Sequence, residues 1–144
     1  KSDESEVDFN TVAPQPPEVR NSPDLLPFDY QGPNWYQWNT QYWGTKWNAY
    51  DIDRLAPNLL KFETAWSHPD PVIKGLSLEF PTASITVKYA DEDLGANLGE
   101  YVILNGVVER AKAFQAYSEE SYEFAANIVH NKSWAQLKAE WDAD

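Results

Sequence analysis

Cysteine is missing from this 144-residue chain. Its absence excludes a disulfide scaffold, a thiolate metal site and a cysteine nucleophile together, and fits a reducing compartment. Methionine is missing as well, even at position 1. The chain is therefore expected to be less than the complete gene product: a fragment, a processed form, or a sequence from which modified methionines have been dropped. No apolar run approaches the roughly 20 residues that span a bilayer, and no signal peptide opens the chain. A cytoplasmic protein without membrane association is expected. Basic residues are scarce, with 11 Lys and Arg against 23 Asp and Glu, for a net charge of −12. Affinity for phosphates comes from Lys and Arg releasing counterions, so direct nucleic-acid binding is not expected. The acidity has two readings: a solvated surface, or a surface that imitates nucleic acid and occupies a DNA-binding partner.

Catalytic signatures are missing too. There is no Gly-rich phosphate loop, nucleophile elbow, paired-histidine metal motif or nucleotide fingerprint. Neither an enzymatic activity nor a cofactor is expected. Asp91-Glu92-Asp93 offers oxygen ligands for Ca²⁺, but the spacing of an EF-hand loop is absent, and the run reads as a solvated acidic loop.

What the chain does have is aromatic mass. Seven Trp, eight Tyr and six Phe make up 15% of the sequence. Each large ring buries roughly 150–250 Å² when packed, so an aromatic-dominated core is expected. The length suits one domain over 1–144, with residues 1–6 as a frayed tail. Val7, Phe9 and Val12 suggest a short strand. Six prolines and Gly32 make 14–33 a long irregular loop, with Leu25, Leu26, Phe28 and Tyr30 available to pin it.

Asn34 is a good N-cap with Gln37 three residues on, and predicts a helix through Trp35, Trp38, Tyr42 and Trp43. Gly44 is a natural C′ residue. Lys46 to Ile52 reads as extended, and Leu59 to Trp66 alternates as a strand. Ser67 as N-cap with Pro69 in the first turn predicts a helix to about Phe80, with Val72, Ile73, Leu76 and Phe80 inward. Ala83 to Tyr89 is a further strand. Tyr101 to Leu104 and Val107 to Phe114 form a hairpin about Asn105-Gly106. Ser118 caps a helix to about His130, and Ser133 with Gln136 caps a last helix to about Trp141. A mixed or antiparallel sheet with helices on one face, an α+β architecture, follows.

Asn34-Trp35-Tyr36-Gln37-Trp38 and Tyr42-Trp43-Gly44-Thr45-Lys46-Trp47-Asn48-Ala49-Tyr50-Asp51 resemble a signature of the YubB-type ferredoxin-like domain of phage, prophage and plasmid proteins. Phe62-Glu63-Thr64-Ala65-Trp66-Ser67 with Pro71-Val72-Ile73, and the acidic loop after Tyr89, are similar to the same family. The resemblance spans roughly residues 7 to 130. It implies a ferredoxin-like fold and a home in bacterial mobile genetic elements, and carries no established activity. Family members have a further strand and helix before the equivalent of Val7, which this sequence does not show.

The candidate site is drawn from that stretch. Trp35, Trp38, Lys46, Trp47, Asn48, Tyr50, Asp51 and Glu63 are the candidate binding residues, an aromatic surface for a host or phage protein partner, with Thr45 beside them and Asn34, Gln37, Asn39 and Gln41 to supply polar contacts. The alternative is that the rings form the core and that Lys46 and Asn48 fix local structure. A second alternative is an acidic DNA mimic acting on a host defence or DNA-binding protein. A third is a small enzyme with a Glu63/His68 acid–base centre on either side of Trp66.

Overall fold

A computed structural model describes residues 7–25, 29–65 and 67–143. The chain forms two compact units, 1–76 and 77–144. Helices and strictly antiparallel strands define the α+β class anticipated from the sequence.

In the first unit, a 3₁₀ turn at Phe9–Thr11 precedes helix α1 (Pro17–Arg20) and helix α2 (Trp35–Tyr42). Strands β1 (Tyr50–Ala56) and β2 (Leu59–Glu63) follow as an antiparallel pair, before helix α3 (Asp70–Glu79). The division between the units falls within α3. Asn34 caps α2 as expected: its Oδ1 accepts the Gln37 N–H at 2.7 Å. Gly44 takes φ +78 just past the helix end, where an L side chain is strained.

The core of the first unit is built around two rings. The buried hydrophobic residues described in the second unit, Leu98, Val102, Ile103, Ala125, Ala126 and Leu137, are all aliphatic, so the aromatic-dominated core expected from composition does not extend to it. Phe9, Trp43 and Val72 are buried together, with Val7, Val12, Ala13, Trp38, Ala49 and Phe62 packed around them. Phe9 meets Trp43 and Phe62 edge-on, with centroids 5.7 and 6.1 Å apart. Such T-shaped contacts place a positive ring edge on a negative face.

The structure corrects several expectations. Val7 to Val12 is not a strand. Asp8 caps a 3₁₀ turn through the Asn10 N–H, and the Phe9 N–H goes to the side chain of Asn48 instead of a sheet partner. The extended segment begins at Tyr50 rather than Lys46. Strand β2 ends at Glu63; Trp66 lies outside the described residues. Leu25 does not pin the long loop, being 90% exposed, and Leu26 and Phe28 lie outside the described residues. That loop also contains α1, started by Pro17 in the first turn, where proline's missing N–H costs nothing. Ser67 is not a helix cap, because its hydroxyl donates to the Gly44 carbonyl. Phe80, expected inward, is exposed just beyond the end of α3.

In the second unit, strands β3 (Ile85–Tyr89), β4 (Gly99–Leu104) and β5 (Val107–Ala113) form a sheet in that order. Ile85, Val87 and Tyr89 are half-buried while Thr86 and Lys88 are exposed, as the alternation predicts. Asn105 and Gly106 turn the hairpin with φ +49 and +78. Two successive positive φ values match the right-handed twist of the flanking strands. Helix α4 (Glu119–Ala125) is capped by Ser118 and runs into a π-helical stretch, Ala126–His130, that ends at Asn131 with φ +55. The stretch expected as one helix thus changes winding halfway. Helix α5 (Trp134–Asp142) is capped by Ser133, whose Oγ accepts the Gln136 N–H at 3.1 Å. Tyr122 stacks on Trp134 at 4.7 Å.

A candidate binding surface around Trp47

The loop from Gly44 to Ala49 owes its shape to buried polar side chains. Asn39, on α2 and only 3% exposed, donates from Nδ2 to the Lys46 carbonyl at 2.8 Å and accepts from Gln15 Nε2 at 2.6 Å. Thr45, 1% exposed, donates its hydroxyl to the Trp47 carbonyl at 2.8 Å. The Lys46 N–H donates to the Ala65 carbonyl at 3.1 Å.

Asn48 is the central brace. Its Oδ1 accepts the N–H groups of Phe9 and Ala49, both at 2.9 Å, and its Nδ2 donates to Asp8 Oδ1 at 2.7 Å. One side chain thereby ties the loop to a turn 39 residues earlier. The reading in which Asn48 fixes local structure describes this geometry.

The rings divide into two groups. Trp43 is 2% exposed and its indole N–H donates to the Ala13 carbonyl at 2.9 Å. Trp38 is half-buried between Tyr42 and Trp43, with centroids at 4.8 and 5.5 Å. Trp35 begins α2; its indole N–H donates to the Pro23 carbonyl at 2.9 Å and its backbone N–H to Ser22 Oγ at 3.1 Å. These three indoles hold the fold together. Trp47 and Tyr50 differ, with 47% and 41% of their surface open to solvent. The Lys46 ammonium sits 4.5 Å from the Trp47 ring centroid, a cation–π contact. Asp51 is exposed and holds φ +50, an uncommon left-handed conformation for a residue that is not glycine. Glu63 is exposed at the end of β2 and pairs in register with Tyr50 across the hairpin. Of the eight candidate residues, Tyr50, Asp51 and Glu63 lie at the entry of the β1–β2 hairpin, and Lys46 and Trp47 lie in the loop that leads into it.

His68 is mostly enclosed, with Nε2 3.3 Å from Asp70 Oδ1. Burial pushes its pKa below the usual histidine value, and the Asp70 carboxylate opposes the shift without cancelling it. The imidazole is therefore neutral at pH 7.

Among the polar braces, Asp8 is missed from the sequence, while Thr45 and Asn39, expected to supply polar contacts to a ligand, are buried and bonded within the chain instead. Asn39 carries a readable signal, a polar residue of poor helix propensity within a helix and next to the aromatic stripe. Its long-range partners carry none.

In the second unit, the acidic loop is tied internally. Asp91 accepts from the Asp93 N–H at 2.9 Å and from Asn97 Nδ2 at 3.2 Å, and Tyr117 donates its hydroxyl to Asp93 at 2.7 Å. That bond raises the Tyr117 pKa. A shallow groove is lined by Glu119, Glu120, Glu123, Trp134, Ala135 and Lys138. Among the described residues, no group of three or more His, Asp or Glu side chains is placed to hold a metal ion. No described helix is long and apolar enough to cross a membrane.

Antiparallel strands interspersed with capped helices define the α+β class. Residues 42–132, more than half of the chain, match the model of the family described as the ferredoxin-like domain in Api92-like protein, and the chain belongs to that family. No curated protein and no solved structure matches the chain. The family match contains the whole braced loop and both exposed rings.

Proposed function

We propose that this domain works by binding a protein partner through the surface of Trp47 and Tyr50, as an accessory protein of a bacterial mobile genetic element. One observation carries the reading. Two large aromatic rings are left about half exposed, Trp47 on a loop whose backbone is pinned by Asn39, Thr45 and Asn48 and Tyr50 at the start of β1 just after it. Rigid exposed aromatics with adjacent charge are what interface hot spots are made of, because little side-chain entropy remains to be lost on binding. Lys46 and Asp51 supply charges of both signs beside them. The YubB-type signature in the same stretch supports a phage, prophage or plasmid setting, and hence a bacterial cytoplasmic one. The role is non-enzymatic in this reading, and the partner is a host or phage protein.

The test is affinity capture from a bacterial host with mass-spectrometric identification, repeated with Trp47→Ala and Tyr50→Ala. Both variants are expected to keep the native circular dichroism spectrum. Removing a half-exposed ring costs well under the roughly 3–5 kcal/mol of a buried one. A partner held by the parent and lost by at least tenfold in both variants is expected. Equal capture by parent and variants sinks the reading.

The groove in the second unit favours a second reading, an acidic mimic that occupies a DNA-binding protein. Three glutamates line it against one lysine. In that case a basic host protein is captured, the complex weakens steeply between low and high salt, and Trp47→Ala leaves it intact.

A further inference from the structure

Strand β2 pairs with β1 on one side, and no other described strand pairs with its outer edge. An edge strand presents a row of backbone N–H and C=O groups, and natural edges are normally guarded by proline, bulges or clashing charge. Leu59-Leu60-Lys61-Phe62-Glu63 holds no proline or glycine. Both register irregularities of the hairpin put the extra residue on β1 and leave β2 regular, and Lys61, a usual edge guard, is balanced by Glu63 two residues on. We propose that the outer edge of β2 pairs antiparallel with the same edge of a second copy of this chain, giving a continuous β1–β2–β2–β1 sheet.

Symmetry limits the register. A two-fold axis through an antiparallel pair must place some residue opposite its own counterpart, because neighbouring positions in the ladder alternate in hydrogen-bond type. With Phe62 on the axis, Lys61 of each copy lies opposite Glu63 of the other, twice by symmetry, and Leu60 lies opposite Thr64. With Lys61 on the axis, two lysines face each other; with Glu63 on the axis, two glutamates do. The sequence of the strand therefore favours one register and penalises its nearest alternatives. Directly opposed unlike charges stabilise a pair and like charges destabilise it. Both residues also hold interactions within their own chain, so the cross-copy pairs extend or exchange existing ones.

Other observations point the same way. Leu59, at the start of the strand, is 52% exposed. Phe62 already packs against Phe9 on the core side, so the strand is held extended. The outer edge of β5 is a poorer candidate. A register centred on Arg110 sets arginine against arginine, and one centred on Ala111 sets Arg110 against Lys112. The net charge of −12 opposes association at long range, so the dimer is expected to form in the micromolar range and only where salt screens that repulsion.

The experiment is sedimentation velocity on the purified chain without any partner, from about 1 to 200 μM and at about 0.15 M salt. The parent is expected to shift from monomer to dimer. Lys61→Glu sets a glutamate against Glu63 of the other copy, and Glu63→Lys sets a lysine against its Lys61; each is expected to weaken the dimer about tenfold or more. The double exchange K61E/E63K restores unlike charges in reversed order and is expected to recover association. Circular dichroism on each variant separates loss of pairing from loss of folding. A parent that stays monomeric throughout overturns the proposal, as does a double exchange that remains as weak as the single ones while folded. Capture of a partner through Trp47 is read in a different assay, so either idea can fail without the other.

Discussion

Asn48→Ala removes three hydrogen bonds with one substitution, and the cost follows from those bonds. The Phe9 and Ala49 N–H groups each lose an acceptor at 2.9 Å, and the Asp8 carboxylate loses a donor at 2.7 Å. A neutral bond contributes about 1 kcal/mol net, and one to a carboxylate about 1.5–3 kcal/mol. The site is only partly buried, so water replaces some of this, and a total of about 2–4 kcal/mol is expected. A loss of that size lowers Tm by roughly 10 °C in a chain of this length. Asn48→Asp sharpens the test. It keeps the oxygen that accepts both N–H groups but turns the donor into a carboxylate facing Asp8. It is expected to cost as much as alanine near pH 7 and to recover as pH falls through the carboxylate range near about 4, where one proton can be shared by the two acids. Urea unfolding followed by tryptophan fluorescence, at about pH 7 and about pH 4.5, reads both variants. An Asn48→Ala loss below about 0.5 kcal/mol, smaller than a single net hydrogen bond, would refute the brace.

Two further outcomes follow from the same region. Gly44→Ala is expected to destabilise by about 2 kcal/mol or more, since φ is +78 and the added Cβ would lie 2.8 Å from Pro71 Cδ; thermal denaturation measures it. For His68, whose folded pKa lies below its unfolded value near 6.5, the unfolded chain binds more protons in the window between the two. Stability is therefore full above about pH 6.5 and falls as pH drops toward the folded pKa, with a slope of at most about 1.4 kcal/mol per pH unit. His68→Gln is expected to flatten that segment of a stability-versus-pH curve, and an unchanged slope would show that the histidine does not set it.

The sequence by itself determined what short-range chemistry decides. Asn34, Ser118 and Ser133 cap helices because a side-chain oxygen reaches an N–H three residues away, whatever surrounds it. Asn105-Gly106 turns a hairpin because those two residues tolerate positive φ. The α+β class follows from these elements in order, and the Trp-Gly-Thr-Lys-Trp-Asn run points to a ferredoxin-like family, which is the level at which the family match agrees. The composition likewise removed the cysteine-based classes of site without reference to the fold.

Only the tertiary structure decided which faces the long-range partners take. Val7 to Val12 has an apolar pattern compatible with a strand, yet its Phe9 N–H is taken by an amide 39 residues on, and the segment turns. Trp35, Trp43 and Trp47 are chemically alike within one signature. Two have indole N–H groups held by carbonyls of the preceding loop, at Pro23 and Ala13, while the ring of the third stands half in solvent beneath a lysine. Ser77 shows the same limit in the second unit: fully enclosed, it accepts the Gly106 N–H at 2.9 Å, a role no spacing announces. Periodicity reports which face of an element is apolar. It cannot report what that face meets, because the partners are set by chain closure over tens of residues.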